Sequence, residues 1–193
     1  MLMDHASSQD VVGAAITRAV NSAEKVAAGG VFTVTCLDAN GQVKWEESLK
    51  NLVVNQGLQD MNAKYFKGVS YTATWYIGLY GAAASNNPTA ADTAALHPGF
   101  TEVVPYSNAT RPAATFNTAT TADPSVISNA ASPAIYTINA TSTIGGAFLI
   151  SDNTKSGTAG VLFSASDFAA PGDRSVALGD TINVSYTFSL DAA

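Results

Sequence analysis

The sequence predicts a mainly β protein, a β-sandwich or jelly roll with one internal α-helix and an N-terminal helical or extended arm. Three observations lead there. Apolar residues alternate with polar ones along the last stretch of the chain, the same period of two flanks an Asn-Gly turn near the start, and short apolar runs separated by Gly, Pro, Asn and Ser fill the middle.

The clearest strand is 181–190, where Ile182, Val184, Tyr186, Phe188 and Leu190 alternate with Asn183, Ser185, Thr187 and Ser189. One face is therefore core and the other is wet. Residues 31–47 read as a hairpin: Phe32, Val34 and Cys36 share a face, Asp38, Ala39, Asn40 and Gly41 supply turn chemistry, and Val43 and Trp45 return. Cys36 is expected in the core, because no local basic neighbourhood would activate its thiol. Between 51 and 66 the period becomes helical, with Val54, Leu58, Met61 and Tyr65 on one face, Asn51 or Asn55 as cap and Gly68 as terminator. Further strands are expected at 71–80, 100–104, 111–118, 134–140, 146–151 and 160–166, with a long loop over 81–99.

Two parts are expected: residues 1–30 as an arm and residues 31–193 as the β domain, divided by a hinge at Gly29 and Gly30. Within the arm, Val12, Ile16, Ala19, Ala23 and Val26 recur at helical spacing, but an Ala-dominated stripe buries little area per turn. Two readings of this segment are open: an arm that orders on a partner, and a helix packed on its own domain.

Composition narrows the function. Only 12% of residues are charged against 47% hydrophobic, whereas average soluble domains carry roughly 25% charged. A net charge of -6 with nine Lys and Arg opposes nucleic-acid binding, which needs clustered bases on phosphates. No run approaches the roughly 18 apolar residues of a membrane span, and residues 1–10 lack a signal-peptide pattern. A single cysteine excludes an intrachain disulfide, so folding in a host cytoplasm is expected.

Catalytic constellations are not apparent. His5 and His97 are isolated, and neither zinc spacing, a G-x-S-x-G elbow nor a phosphate-binding glycine loop occurs. Glu46 and Glu47 are adjacent and point to opposite faces of a strand; Glu102 reads as a solvated strand edge, and Asp167, Asp173 and Asp180 as turn residues. Neither enzyme activity, a metal nor any cofactor is expected. Residues expected to meet a partner are Ile16, Arg18 and Lys25 in the arm and the aromatics Trp45, Tyr76 and Tyr80.

Four segments carry a resemblance: 51–58 (NLVVNQGL), 74–80 (TWYIGLY), 111–116 (RPAATF) and 179–190 (GDTINVSYTFSL). In style and order they resemble head decoration, or cement, proteins of tailed bacteriophages, over roughly residues 43–190. The resemblance implies a jelly-roll or related β-fold and binding to the outside of a capsid without chemistry. It also implies as partners the major capsid protein and neighbouring copies in a homodimer or homotrimer, and a location on the virion. The alternative is a tail, neck or fibre-adaptor component, or a host-glycan-binding module.

Overall fold

A computed structural model describes residues 26–71, 74–81, 88–97, 101–168 and 172–192. In chain order these form β1 (Val26–Leu37), β2 (Val43–Lys50), β3 (Leu52–Val53), helix α1 (Asn55–Lys67), β4 (Trp75–Gly81), β5 (Thr101–Glu102) and β6 (Ala113–Ala114). There follow β7 (Ser125–Ser128), β8 (Ala134–Thr137), β9 (Ser142–Ile144), β10 (Gly146–Ile150), β11 (Leu162–Asp167), β12 (Arg174–Val176) and β13 (Thr181–Ala192). The described chain is mainly β, and every strand pair is antiparallel.

Alternation builds the first sheet. Phe32, Val34 and Cys36 of β1 and Ile182, Val184 and Tyr186 of β13 all turn inward, so the two strands pair in register from Val26↔Ala192 to Leu37↔Thr181. The hairpin to β2 closes as its residues dictate: Asp38 Oδ1 accepts from the N–H groups of Asn40 (2.8 Å) and Gln42 (2.9 Å), and Gly41 takes φ +80°. The sheet order is β2-β1-β13, with β8 and β7 sharing the far edge of β13.

The second sheet runs β3-β11-β10-β4, and both β5 and β6 pair β4. Its central strands do not alternate, because both of their faces are covered. One face joins Ile77, Leu79, Ala147, Leu149 and Phe163 to the inward residues of the first sheet in one core, and Tyr136 of β8 donates to the Ile77 carbonyl of β4 at 2.6 Å. The other face holds Tyr80, Phe148, Ile150 and Leu162 in a smaller cluster with Val54. Fully burying each such large side chain stabilises by about 1.5–3 kcal/mol.

Several expectations need correction. Gly29 and Gly30 are not a hinge: they lie inside β1, paired with Ser189 and Phe188, so a boundary at residue 30 would cut a strand. Gly30 is needed for close approach, since a Cβ there would lie 2.7 Å from Tyr186 Oη. Strands expected at 100–104, 111–118 and 134–140 are shorter, and β3, β7, β9 and β12, each of two to four residues, went unforeseen. The helix starts at Asn55 without a side-chain cap and ends at Gly68 in the left-handed region, as expected of that glycine. Asn51 instead donates to Tyr186 Oη at 2.7 Å.

Asp180 is also more than a turn residue. Its buried carboxylate accepts from Lys44 Nζ at 2.6 Å and from the Ala177 N–H at 2.8 Å, tying β2 to the start of β13. Burial alone would raise its pKa, yet the bonds from Lys44 and Ala177 and the charge of Lys44 hold it below the usual carboxylate range. A pKa lower in the folded than in the unfolded chain contributes stability above the unfolded value of about 3.9 that is lost as pH falls through the folded value. Wild type should therefore exceed Asp180→Asn in urea midpoint at pH 7, and the gap should narrow below about pH 4. A gap that does not change with pH would show that the ionised carboxylate contributes nothing.

Candidate functional site

Chemistry is consumed internally at the best-connected charged cluster. The guanidinium of Arg111, 3% exposed, forks onto Glu102, with Nε donating to Oε1 at 2.9 Å and Nη2 to Oε2 at 2.8 Å. Nη1 donates to the Asp152 carbonyl at 2.8 Å, Nη2 to the Gly157 carbonyl at 3.1 Å, and the Phe148 ring lies 5.4 Å from the guanidinium carbon. Four of the five arginine donors are therefore occupied by the protein, which fixes β5 and the 152–157 loop against the strand segment at Ala113. Glu102 is thus a buried partner and not a solvated strand edge, since the turn of 152–157 folds over it and the Ser156 N–H donates to it.

The other acidic residues divide as their positions on β2 dictate. Glu46 accepts from the Thr35 hydroxyl at 2.9 Å, while Glu47 pairs with Arg174. Asp167 accepts from the Tyr80 hydroxyl at 3.4 Å, and burial together with the charge of Asp173 pushes its carboxyl up. Cys36 is a core residue whose thiol is pushed up to about 11, chiefly by burial and then by the charge of Asp180. Among the described residues no three of His, Cys, Asp and Glu gather into a metal-binding group, and no helix is long and apolar enough to cross a membrane.

The residues expected to meet a partner are not brought together. Ile16, Arg18 and Lys25 lie outside the described residues. Tyr80 is fully buried in the cluster behind β4, so it is core and not a contact surface. Trp45 is half-buried and set edge-on to Phe168 at 5.6 Å; Tyr76 is half-buried against the same cluster as Tyr80.

The exposed aromatics lie elsewhere. Tyr65 (85% exposed) and Phe66 (76%) at the end of α1, set edge-on to each other at 4.9 Å, and then Val69 (52%) and Tyr71 (81%) are exposed apolar residues close together in the chain. Tyr65, Phe66 and Tyr71 also line an apolar groove of about 780 Å3 that opens between α1 and the ends of β1 and β13. Its floor is aromatic: Phe163 meets Trp75 at 5.4 Å and Phe188 at 5.3 Å, and Phe116 meets Tyr186 at 6.3 Å. Sequence reasoning missed this surface because it assigned Tyr65 and Leu58 to the buried helix face. The buried face is centred instead on Gly57 with Asp60, Met61 and Lys64 beside it, roughly a quarter turn away at 3.6 residues per turn. Gly57, having no side chain, lets the helix backbone come against Phe163, and that contact decides which face is covered. The only early signal was Gly57 itself, a residue that weakens a helix and so calls for a packing reason.

Such a surface can bind protein by burying aromatic area. Comparison with protein-family models, curated proteins and solved structures finds no match to this chain.

Proposed function

We propose that this protein is a non-enzymatic structural component of a tailed-bacteriophage virion that binds the outside of the capsid and stabilises it as a decoration protein. On this reading the two packed sheets are a β-sandwich of jelly-roll type, and the partners are the major capsid protein and neighbouring copies in a dimer or trimer. The observation that carries the reading is the exposed run Tyr65, Phe66, Val69 and Tyr71 on a chain with few charges. Apolar surface of this kind favours adhesion to protein, and aromatic residues commonly dominate such interfaces. The resemblance behind this reading lies in four segments, which supply β3 with the start of α1, β4, β6 with Phe116, and most of β13.

Binding only to the assembled shell raises shell stability by mass action. Capsids carrying the protein should therefore survive heat or osmotic challenge that opens bare capsids. A Tyr65→Ser/Phe66→Ser variant should fold normally and attach roughly 30-fold more weakly, the effect of losing about 2 kcal/mol of interface energy. Equal survival of coated and bare capsids, with no protein bound to the shell, would sink the reading. Attachment of a few copies at the tail or neck alone would replace it with the appendage role.

A further inference from the structure

Among the described residues the first sheet ends on β2, with no strand beyond it. We propose that two copies of this chain pair there, β2 against β2 in antiparallel register about a two-fold axis at Ser48, so that one sheet runs through both molecules. This gives a place to the neighbouring copy that the proposed function only names. The contact uses none of the residues of the Tyr65 and Phe66 surface and forms between free molecules, so either inference can fail while the other stands.

Three observations carry it. The first is the backbone. β2 is eight residues long, whereas the strands at the other sheet margins have two to four. The Asn51 N–H donates to the Gly30 carbonyl at 2.9 Å, and alternate residues of an antiparallel strand turn to the same neighbour, so Glu47 and Leu49 also face β1. The N–H and C=O groups of Glu46, Ser48 and Lys50 therefore point away from the sheet. The Lys50 carbonyl meets the Ser166 hydroxyl at 2.8 Å, and no described strand takes the others. An open row of this kind is a template for a further strand.

The second is the state of the charges that could guard such an edge. Lys44 is held by Asp180 at 2.6 Å, and the inward-pointing Glu47 is neutralised by Arg174. Glu46 binds the Thr35 hydroxyl through one carboxylate oxygen, which leaves the other for a partner. Along the outer face there remain one negative, one neutral and one positive residue: Glu46, Ser48 and Lys50.

The third is that this pattern complements itself. Antiparallel pairing centred on Ser48 sets each Glu46 opposite the second copy's Lys50, and two-fold symmetry makes that pair twice. Centring on Glu47 sets Lys44 against Lys50, and centring on Glu46 sets that carboxylate against itself. Both slips oppose like charges, so the side chains select the register.

Sizing of the free protein should show a dimer that dissociates on dilution. Glu46→Lys and Lys50→Glu should each weaken it roughly ten-fold, and the exchange Glu46→Lys/Lys50→Glu should restore it by again setting opposite charges face to face. Ser48→Pro should abolish the dimer with little change in the thermal midpoint of the monomer, because the N–H it removes faces away from β1. Cross-linking reads the register. Opposed Ser48 residues would lie about 5.5 Å apart between Cα atoms, within the roughly 4.4–6.8 Å span of a disulfide, so Ser48→Cys should oxidise to a covalent dimer. Glu46→Cys should not, since its mate would lie about 14 Å away along the strand. Cys36 is buried and takes no part. Tyr65→Ser/Phe66→Ser should leave the dimer intact. A monomer at every concentration up to about 1 mM would overturn the proposal. So would a dimer that Tyr65→Ser/Phe66→Ser abolishes, or one that Ser48→Cys does not lock. If Ser48→Pro does not fold, the charge exchange and the cross-link still decide the matter.

Discussion

Replacing Arg111 with methionine is expected to lower stability by about 3–5 kcal/mol, the cost of leaving one partner of a buried ion pair uncompensated. Methionine keeps much of the volume beside Phe148, so the loss reports charge and hydrogen bonding more than packing. Removing the guanidinium strands the Glu102 carboxylate, whose side chain is 4% exposed, together with the carbonyls of Asp152 and Gly157. Arg111→Lys should recover little, because one ammonium cannot serve both carboxylate oxygens and two carbonyls set around a planar fork. The double variant Arg111→Met/Glu102→Leu should regain a substantial part, as it removes the stranded charge with its partner. Urea unfolding of wild type, Arg111→Met, Glu102→Leu and the double variant gives the cycle directly. A single-variant loss below about 1 kcal/mol would mean that water reaches the pair and that the cluster is only a surface bridge.

Gly57→Ala should destabilise the protein by about 2 kcal/mol, against the sign that helix propensity assigns. In an exposed helix this change gains about 1 kcal/mol, since alanine costs less backbone entropy than glycine. Here a Cβ would lie 2.4 Å from the carbonyl oxygen of Phe163 and 3.0 Å from its carbonyl carbon, and a strand backbone cannot yield as a flexible side chain can. Relief requires α1 to move away from β11, and overpacking of this kind costs about 1–3 kcal/mol. The same movement loosens the Gln56 side chain, whose Oε1 accepts from the N–H groups of Leu162 at 2.8 Å and Ala94 at 3.1 Å. Urea unfolding measures the loss, and amide exchange at Ala94 and Leu162 should quicken with it. An unchanged or raised midpoint would falsify the close approach.

Local period decided how much of the fold was legible. Ile182, Val184 and Tyr186 sit in the core as their alternation foretold, and the Asp38–Gly41 turn closes the hairpin through bonds its own residues make. Strands of two to four residues, such as Leu52–Val53 and Arg174–Val176, contain too few positions to show any period, and they form because a partner strand is already in place. The candidate site was barely legible. Tyr76 and Tyr80 belong to a strand covered on both faces, so an aromatic on a strand gave no sign of whether it met solvent, a second cluster or a partner.

The sequence alone determined a charge-poor, mainly β chain with a hairpin, one helix ended by Gly68 and an alternating final strand, because each of these follows from residues near one another in the chain. Only the tertiary structure decided that Gly29 and Gly30 pair within β1, that Glu102 is neutralised by Arg111, and that α1 turns Tyr65 and Phe66 to solvent. These depend on which distant backbone comes close: Tyr186 at Gly30, the 152–157 turn at Glu102, Phe163 at Gly57. At these positions burial is set by the assembled chain, and no local pattern encodes it there.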